Sequence, residues 1–248
     1  MKNELDFSIV IPVKDEVDSI TYLLDEITCC LKNDFSYEII LVDDGSVDGT
    51  RSAIRQYLPY TRAVIRYLQH DKNYGQSAAL YSGIQSAHSN WIITMDGDGQ
   101  NDPADIRHMI NHLRNNKTDD PKLLCGHRIN RKDNWIKKVS SLIANQFRSR
   151  LLGDETPDTG CGIKMINRET FLNLPRFDHM HRFLPALFRK FGHAVCIVEV
   201  NHRYRMSGKS KYGIHNRLWT GLIDVAGMIW LNKRCLNPYS EEIFFHDD

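Results

Sequence analysis

Short apolar runs that stop abruptly in carboxylate- and glycine-bearing turns, each followed by a stretch of helical spacing, constrain this chain more than any other feature. Phe7 to Val13, Tyr37 to Val42, Ala63 to Gln69 and Trp91 to Met95 read as strands. Ile20, Leu23, Leu24, Ile27 and Leu31 recur at the i, i+3, i+4 interval of a helix packed on the first of them. A second helix follows Thr50 and stops near Pro59, a third runs from Gln76 to about Ala87, and a fourth runs from Pro103 to about Asn115. Strand and helix in alternation are the mark of βαβ units around a largely parallel sheet flanked by helices, an α/β fold.

Beyond Lys122 to Cys125, another strand, the pattern changes. Ile136, Val139, Ile143, Phe147 and Leu151 form an apolar helical stripe, with Lys137, Ser141, Asn145 and Arg148 on another face. A polar loop from Gly153 to Gly160 leads to a strand at Cys161 to Ile166. Helices are expected at Arg168 to Leu174 and Arg182 to Phe191, and a strand at Ala194 to His202.

Charge enters the argument through its distribution. The 248 residues carry 32 Lys+Arg and 31 Asp+Glu, a formal +1. Residues 1–125 hold 12 basic and 19 acidic side chains (−7), residues 126–217 hold 18 and 7 (+11), and residues 218–248 hold 2 and 5 (−3). An acidic half joined to a basic one suits nucleic acid, an anionic membrane surface or a phosphate-bearing substrate. The basic segment has no zinc-finger or RNA-recognition motif and the acidic half opposes it, so nucleic acid is not the expected partner. The six cysteines show no C-x-x-C spacing and read as free thiols in a reducing compartment. No segment reads as a signal peptide. The apolar stretch Leu218 to Leu231 contains Asp224 and is shorter than the ~20 residues that span a bilayer. It reads equally as a core helix or as an interfacial one, with Trp219 and Trp230 near its ends and Arg217, Lys233 and Arg234 flanking it.

Strands of an open parallel sheet place ligand sites at their C-terminal ends. Here those ends carry Pro12, Lys14, Asp15 and Glu16, then Asp43 and Asp44, then Asp96 and Asp98. So many carboxylates on one edge repel one another unless a cation or hydrogen-bond donors share the site. By itself Asp96-Gly97-Asp98 reads as a surface turn sooner than as a metal site; its place after an apolar strand, with Gly97 and Gly99 permitting close approach, puts a hard cation such as magnesium or manganese, together with substrate phosphates, on a level with the turn. A calcium loop is excluded, because Asn101 and Arg107 stand where it needs Gly and Glu. A dinucleotide fingerprint fails at Asp102, and no phosphate-cradling G-x-x-x-x-G-K-[ST] is present. Asp43-Asp44-Gly45-Ser46 alone reads as a turn with Asp48 capping the next helix; with Glu16 and Asp96 it reads as a set that hydrogen-bonds a nucleoside. His179, His181 and His202 match no standard ligand spacing, and the segment beginning His181-Arg182-Phe183 reads as a packing segment.

The motifs Pro12-Val13-Lys14-Asp15-Glu16, Asp43-Asp44-Gly45-Ser46-Val47-Asp48-Gly49-Thr50 and Asp96-Gly97-Asp98-Gly99-Gln100-Asn101-Asp102-Pro103 resemble, in this order, those of the family 2 glycosyltransferases of GT-A fold. Asp158-Thr159-Gly160-Cys161-Gly162 and the segment from Arg205 through Gly208 and Lys211 to Gly213 narrow the resemblance to the polyprenyl-phosphate sugar synthases, the dolichyl-phosphate mannose synthase group and its bacterial undecaprenyl-phosphate relatives. The resemblance implies a GT-A domain over 1–215, with 1–125 as nucleotide and metal half and 126–215 as acceptor half, and a C-terminal helical segment over 216–248, either packed in a core or membrane-interfacial.

It also implies roles residue by residue. Pro12, Glu16, Val42 and Asp44, with Lys14, Asp43 and Asp96, form the donor site, and Lys14 stands where many members carry a flat residue against the base. Asp96, Asp98 and Gln100 hold a Mg or Mn divalent cation. Arg128 contacts phosphate, Lys137, Ser141 and Asn145 face the lipid phosphate, and Arg205 and Lys211 belong to a basic loop over the phosphates. Asp98, Arg128 and Asp158 form the catalytic set, Asp158 either orienting the acceptor or sugar or capping a turn. The implied reaction is inverting transfer from a nucleotide-sugar donor, UDP-linked by likeness to bacterial members, to a polyprenyl phosphate. The alternatives are a GDP-mannose donor and a saccharide acceptor; a saccharide hydroxyl ordinarily requires a carboxylate base, which the basic acceptor side does not suit. The expected location is cytoplasmic, peripheral on the cytoplasmic membrane face. Many bacterial relatives have C-terminal spans there, so attachment without one is direct to the membrane surface or assisted by a homo-oligomer or membrane-protein partner.

Overall fold

The computed structural model describes residues 5–32, 34–61, 63–115, 120–129, 152–154, 156–204 and 214–234. The chain divides into two units, Met1–Lys211 and Tyr212–Asp248.

The first unit is built on a seven-stranded sheet with β1 (Phe7–Val13), β2 (Tyr37–Asp43), β3 (Val64–Gln69), β4 (Trp91–Thr94), β5 (Leu123–Arg128), β6 (Lys164–Asn167) and β7 (Val195–Val200) in the order β3-β2-β1-β4-β6-β5-β7. The pairs β1·β2, β2·β3, β1·β4 and β5·β7 are parallel, whereas β6 runs antiparallel to both β4 and β5. β1 is apolar at almost every position because both of its faces are covered. Pro12, which has no N–H to give, lies past Val10↔Thr94, where the β1·β4 ladder ends.

The crossovers of the first half are α1 (Ile20–Leu31), α2 (Thr50–Tyr57), α3 (Gln76–Ser86) and α4 (Ala104–Asn115). α1 buries Ile20, Leu23, Leu24, Ile27 and Leu31, the stripe read from the sequence. α3 lies close on the sheet at Gly83, where a Cβ would stand 2.4 Å from Val10 Cγ1 and 3.0 Å from Val42 Cγ2. Phe7, Ile9, Ile11, Ile39, Leu41, Ile93 and Met95 form the centre of the core with α1, Ile106 and Met109.

Several boundaries differ from expectation. β5 extends to Arg128 because its ladder with β7 continues to Arg128↔Val200. The strand expected from Cys161 begins at Lys164, and the residues before it turn toward β4. α5 (Arg168–Leu172) ends early, and the helix expected at Arg182 to Phe191 is a 3-10 turn, Met180–Arg182, followed by α6 (Leu184–Lys190) with Pro185 in its first turn. Among the described residues the second unit contributes α7 (Ile214–Arg234), on which Ile223 and Trp230 are exposed. No helix among the described residues is long and apolar enough to cross a membrane. The helical stripe expected at residues 136–151 lies outside the described residues.

Candidate active site

The sheet order reverses between β1 and β4, since β1 is followed by β2 on one side and β3 by β4 on the other. Such a switch point leaves a crevice at the C-terminal strand ends, and the acidic loops of the sequence border it.

Hydrogen bonds stitch the loops after β1 and β2 together. The Lys14 ammonium donates to the Gly45 carbonyl, the Asp15 N–H to Ser46 Oγ at 2.9 Å, and the Val47 N–H to Asp15 Oδ1 at 2.8 Å. Asp15 has a left-handed backbone, φ 48°, and these contacts hold it there. Gly45, φ 73°, has no room for a side chain: a Cβ would stand 2.8 Å from the backbone of Lys72. Asp43 accepts from the Ser46 N–H at 2.7 Å and from the Tyr67 hydroxyl, whose pKa burial and then the Asp43 carboxylate push up. Asp44 accepts from the N–H groups of Tyr74 and Gly75 at 2.8 and 2.7 Å and pairs with His70 Nδ1 at 2.8 Å. Both carboxylates, expected to face a nucleoside, brace neighbouring loops. The Val42 side chain is fully buried against α3. Pro12, Lys14 and Glu16 are half-buried at the crevice.

Repulsion is evident between Asp96 and Asp98. Burial, and then the Asp98 charge, push the Asp96 carboxyl up to about 6, although Lys164, Arg128 and a hydrogen bond from Gln76 oppose the shift. Gln76 Nε2 donates to Asp96 Oδ1 at 2.8 Å, and the Asp96 N–H donates to Asn101 Oδ1 at 2.9 Å. Asp98 is 7% exposed and accepts from the Gln100 N–H at 3.1 Å. Gly97 lets this loop rest on β1, where a Cβ would stand 3.0 Å from Val13 Cγ1, and Ser19 Oγ secures its carbonyl at 2.9 Å. Two ionised carboxylates forced together suit a cation, which relieves the cost that raises Asp96. Among the described residues no group of three His, Cys, Asp or Glu side chains converges as a metal site.

Arg128 closes β5 and faces the same region. Its Nε and Nη2 donate to Asp158 Oδ2 and Oδ1 at 2.6 and 2.7 Å. Of the two readings of Asp158, neither anticipated this fork, which aims a guanidinium. Lys137, Ser141, Asn145, Arg205 and Lys211 lie outside the described residues.

The sequence does not mark Gln76, Lys164 and Arg203 as contributors, and it offers His181 only as part of a packing segment. Gln76 opens α3 beside Asp96. Lys164 is 6% exposed, with its ammonium on the Cys161 carbonyl. Arg203 binds Glu26 Oε1 at 2.7 Å and Asp102 Oδ1 at 2.6 Å while its N–H donates to the Gln100 carbonyl at 3.0 Å, fastening the end of the Asp96–Asp102 loop. His181, held well below its usual pKa chiefly by burial, meets Ser77 Oγ through Nδ1 at 2.7 Å and ties the Met180–Arg182 turn to α3. The only sequence signal was position: Lys164 follows the Gly162 motif and Arg203 precedes the basic one.

Residues 8–174 match the model of Glycosyl transferase family 2. Dodecaprenyl-phosphate galacturonate synthase of Rhizobium johnstonii is 34% identical over 238 residues, 94% of this chain and 69% of that protein. Undecaprenyl-phosphate 4-deoxy-4-formamido-L-arabinose transferase of Aeromonas hydrophila is 31% identical over 208 residues, 84% of this chain and 63% of that protein. The chain thus spans under two thirds of the length of the latter relative. In fold it resembles glucosyl-3-phosphoglycerate synthase of Mycobacterium tuberculosis, crystallised with Mn2+, uridine diphosphate and glucosyl-3-phosphoglycerate, at 17% identity and a TM-score of 0.70 over 92% of this chain and 80% of that one. Mannosyl-3-phosphoglycerate synthase of Rubrobacter xylanophilus gives 14% and 0.70 over 96% and 77%.

Proposed function

The chain belongs to glycosyl transferase family 2, and from that premise we propose that it moves a sugar from a nucleoside diphosphate donor, UDP-linked, to a polyprenyl phosphate with inversion at the anomeric carbon. The observation that carries the proposal is the placing of the Asp96/Asp98 pair and the Asp158-held Arg128 around one crevice. The names of the two relatives, each a polyprenyl-phosphate product or substrate, support a lipid phosphate over a saccharide acceptor.

In this reading an acceptor phosphate oxygen attacks the anomeric carbon, the bond from that carbon to the donor's diphosphate oxygen breaks, and its electron pair leaves with the nucleoside diphosphate. A phosphate monoester is already ionised at neutral pH, so no side chain has to remove a proton. The work of this chain is positioning and charge. Arg128 contacts phosphate, and Asp158 keeps its guanidinium from swinging away. Asp96 and Asp98, with Gln100, would hold Mg2+ or Mn2+, which supplies neutralisation of the leaving diphosphate. Pro12, Lys14 and Glu16 border the donor's nucleoside, and the stitched β1 and β2 loops fix them in place. Lys137, Ser141, Asn145, Arg205 and Lys211 are proposed for the phosphates on the acceptor side.

The acceptor is a membrane lipid, so the enzyme works at a membrane surface, on its cytoplasmic face. Exposed Ile223 and Trp230 with Lys233 and Arg234 at the end of α7 support contact with such a surface. The test is incubation with a panel of UDP- and GDP-sugars, Mg2+ or Mn2+, and a polyprenyl phosphate. An acid-labile lipid-linked monosaccharide from a UDP-sugar is expected. Transfer to a free saccharide with no lipid product in any combination overturns the reading.

A further inference from the structure

The Asp96 carboxylate is confined from two sides by segments far apart in the chain. On one side the amide of Gln76 donates to Oδ1 at 2.8 Å. On the other, the backbone of Gly162 comes so near that a Cβ there would lie 2.1 Å from Oδ2, 2.4 Å from Cγ and 2.7 Å from Oδ1. Gly162 is not among the glycines with positive φ, so its backbone is one that any residue adopts. What demands glycine at this position is the space that the carboxylate fills.

Gly162 has little freedom to retreat. Thr94 Oγ1, at the end of β4, donates to its carbonyl at 2.7 Å. The preceding carbonyl, of Cys161, accepts from the buried Lys164 ammonium, and the following one, of Ile163, accepts from the Gly126 N–H at 3.1 Å. Three successive carbonyls are therefore anchored to β4, β5 and β6. The strand ends that carry Asp96 and Arg128 also hold the backbone on which Asp96 leans.

We infer that Gly162 and Gln76 are positioning residues that jointly set the stance of Asp96 toward the cation and diphosphate of the donor, one by leaving room and the other by a directed hydrogen bond. The inference rests on the proposed function, since it presumes that Asp96 meets a cation. It assigns the glycine of the Asp158-Thr159-Gly160-Cys161-Gly162 motif a steric duty toward the Asp96-Gly97-Asp98 motif. With the carboxylate ordered before any ligand arrives, little rotamer freedom remains to be lost on binding.

The test is Mn2+ binding to the full chain without donor, followed by electron paramagnetic resonance, alongside the metal dependence of KM and kcat. Gly162→Ala should raise the Mn2+ Kd at least tenfold. Gln76→Leu, at an exposed helix start, should raise it several-fold with the melting temperature unchanged. The double variant should fall short of the product of the two, because both act on one carboxylate. In turnover, the Gln76→Leu loss should lie mainly in the metal KM, with kcat at saturating metal nearly kept. Unchanged Mn2+ affinity in Gln76→Leu overturns the inference even if Gly162→Ala fails to fold. Absence of Mn2+ binding by the unaltered chain overturns the metal reading as well, so the two failures are told apart.

Discussion

Asp158 grips Arg128 through two nearly parallel contacts, Nε to Oδ2 at 2.6 Å and Nη2 to Oδ1 at 2.7 Å, across 30 residues of sequence. The side chains are 4% and 14% exposed, so the pair is shielded from water and its geometry is fixed. A guanidinium held in this way is a ready-placed positive charge beside Asp96, whose ionised form it favours.

Asp158→Asn should reduce both stability and activity. Removing one partner of a buried pair leaves the other charge poorly compensated, at a cost of about 3 kcal/mol. Urea denaturation should show that loss, and turnover should fall by roughly two orders of magnitude as Arg128 loses its aim. Arg128→Lys should not restore activity, because an ammonium cannot make the fork.

Asp98→Ala should abolish turnover while leaving the fold intact. The side chain accepts a loop N–H but is not part of the apolar core. Circular dichroism should be unchanged and Mn2+ binding should be lost; retained activity would remove Asp98 from the metal assignment.

The dependence on pH should follow Asp96, raised from 3.8 to about 6 without metal. In the folded chain a proton is retained at this carboxyl between those values, whereas the unfolded chain has released it. This group therefore favours the metal-free fold at low pH, and the contribution is lost as pH rises through 6. A cation competes with the same proton, so its apparent affinity should fall by up to tenfold per pH unit below about 6. The thermal shift produced by Mn2+ should be full at pH 7 and small at pH 5, and Asp96→Asn should lose the pH-dependent part.

Glu38 should govern part of the acid limb of stability. Burial alone would raise its pKa, but the His88 N–H, the Ser8 hydroxyl and Arg66 together hold it below the ordinary glutamate value of 4.5. A depressed carboxyl contributes stability that is present above the unfolded pKa and is lost as pH falls through the folded one. Glu38→Gln should cost about 2 kcal/mol at neutral pH, the scale of hydrogen bonds to a charged group. Urea titrations at neutral and acid pH should show that cost fading below 4.5.

The first half of the chain was legible because each buried strand is a continuous apolar run that ends in a carboxylate turn. β1 and α1 fall where their spacing places them. The orientation of β6 was not legible: a four-residue strand, Lys164–Asn167, carries no mark of direction, and only its neighbours make it antiparallel. Nor could the sequence separate a bracing carboxylate from a ligand-facing one. Asp44 is braced by Tyr74 and Gly75, and that contact exists only once the loop after β3 folds back over Gly45. Lys164 was passed over because a lysine is ordinarily a surface residue, and its burial depends on the Cys161 carbonyl.

The place of β6 between β4 and β5 also sets a timetable for synthesis. The strand that covers the edge of β4 follows Thr94 by about 70 residues, which a ribosome adding roughly 5–20 residues per second needs several seconds to deliver. Until then Trp91–Thr94 offers an unpaired edge to other chains, and Asp96 lacks the backbone of Gly162 behind it. The insertion that closes the edge of β4 therefore also delivers the backbone that confines Asp96.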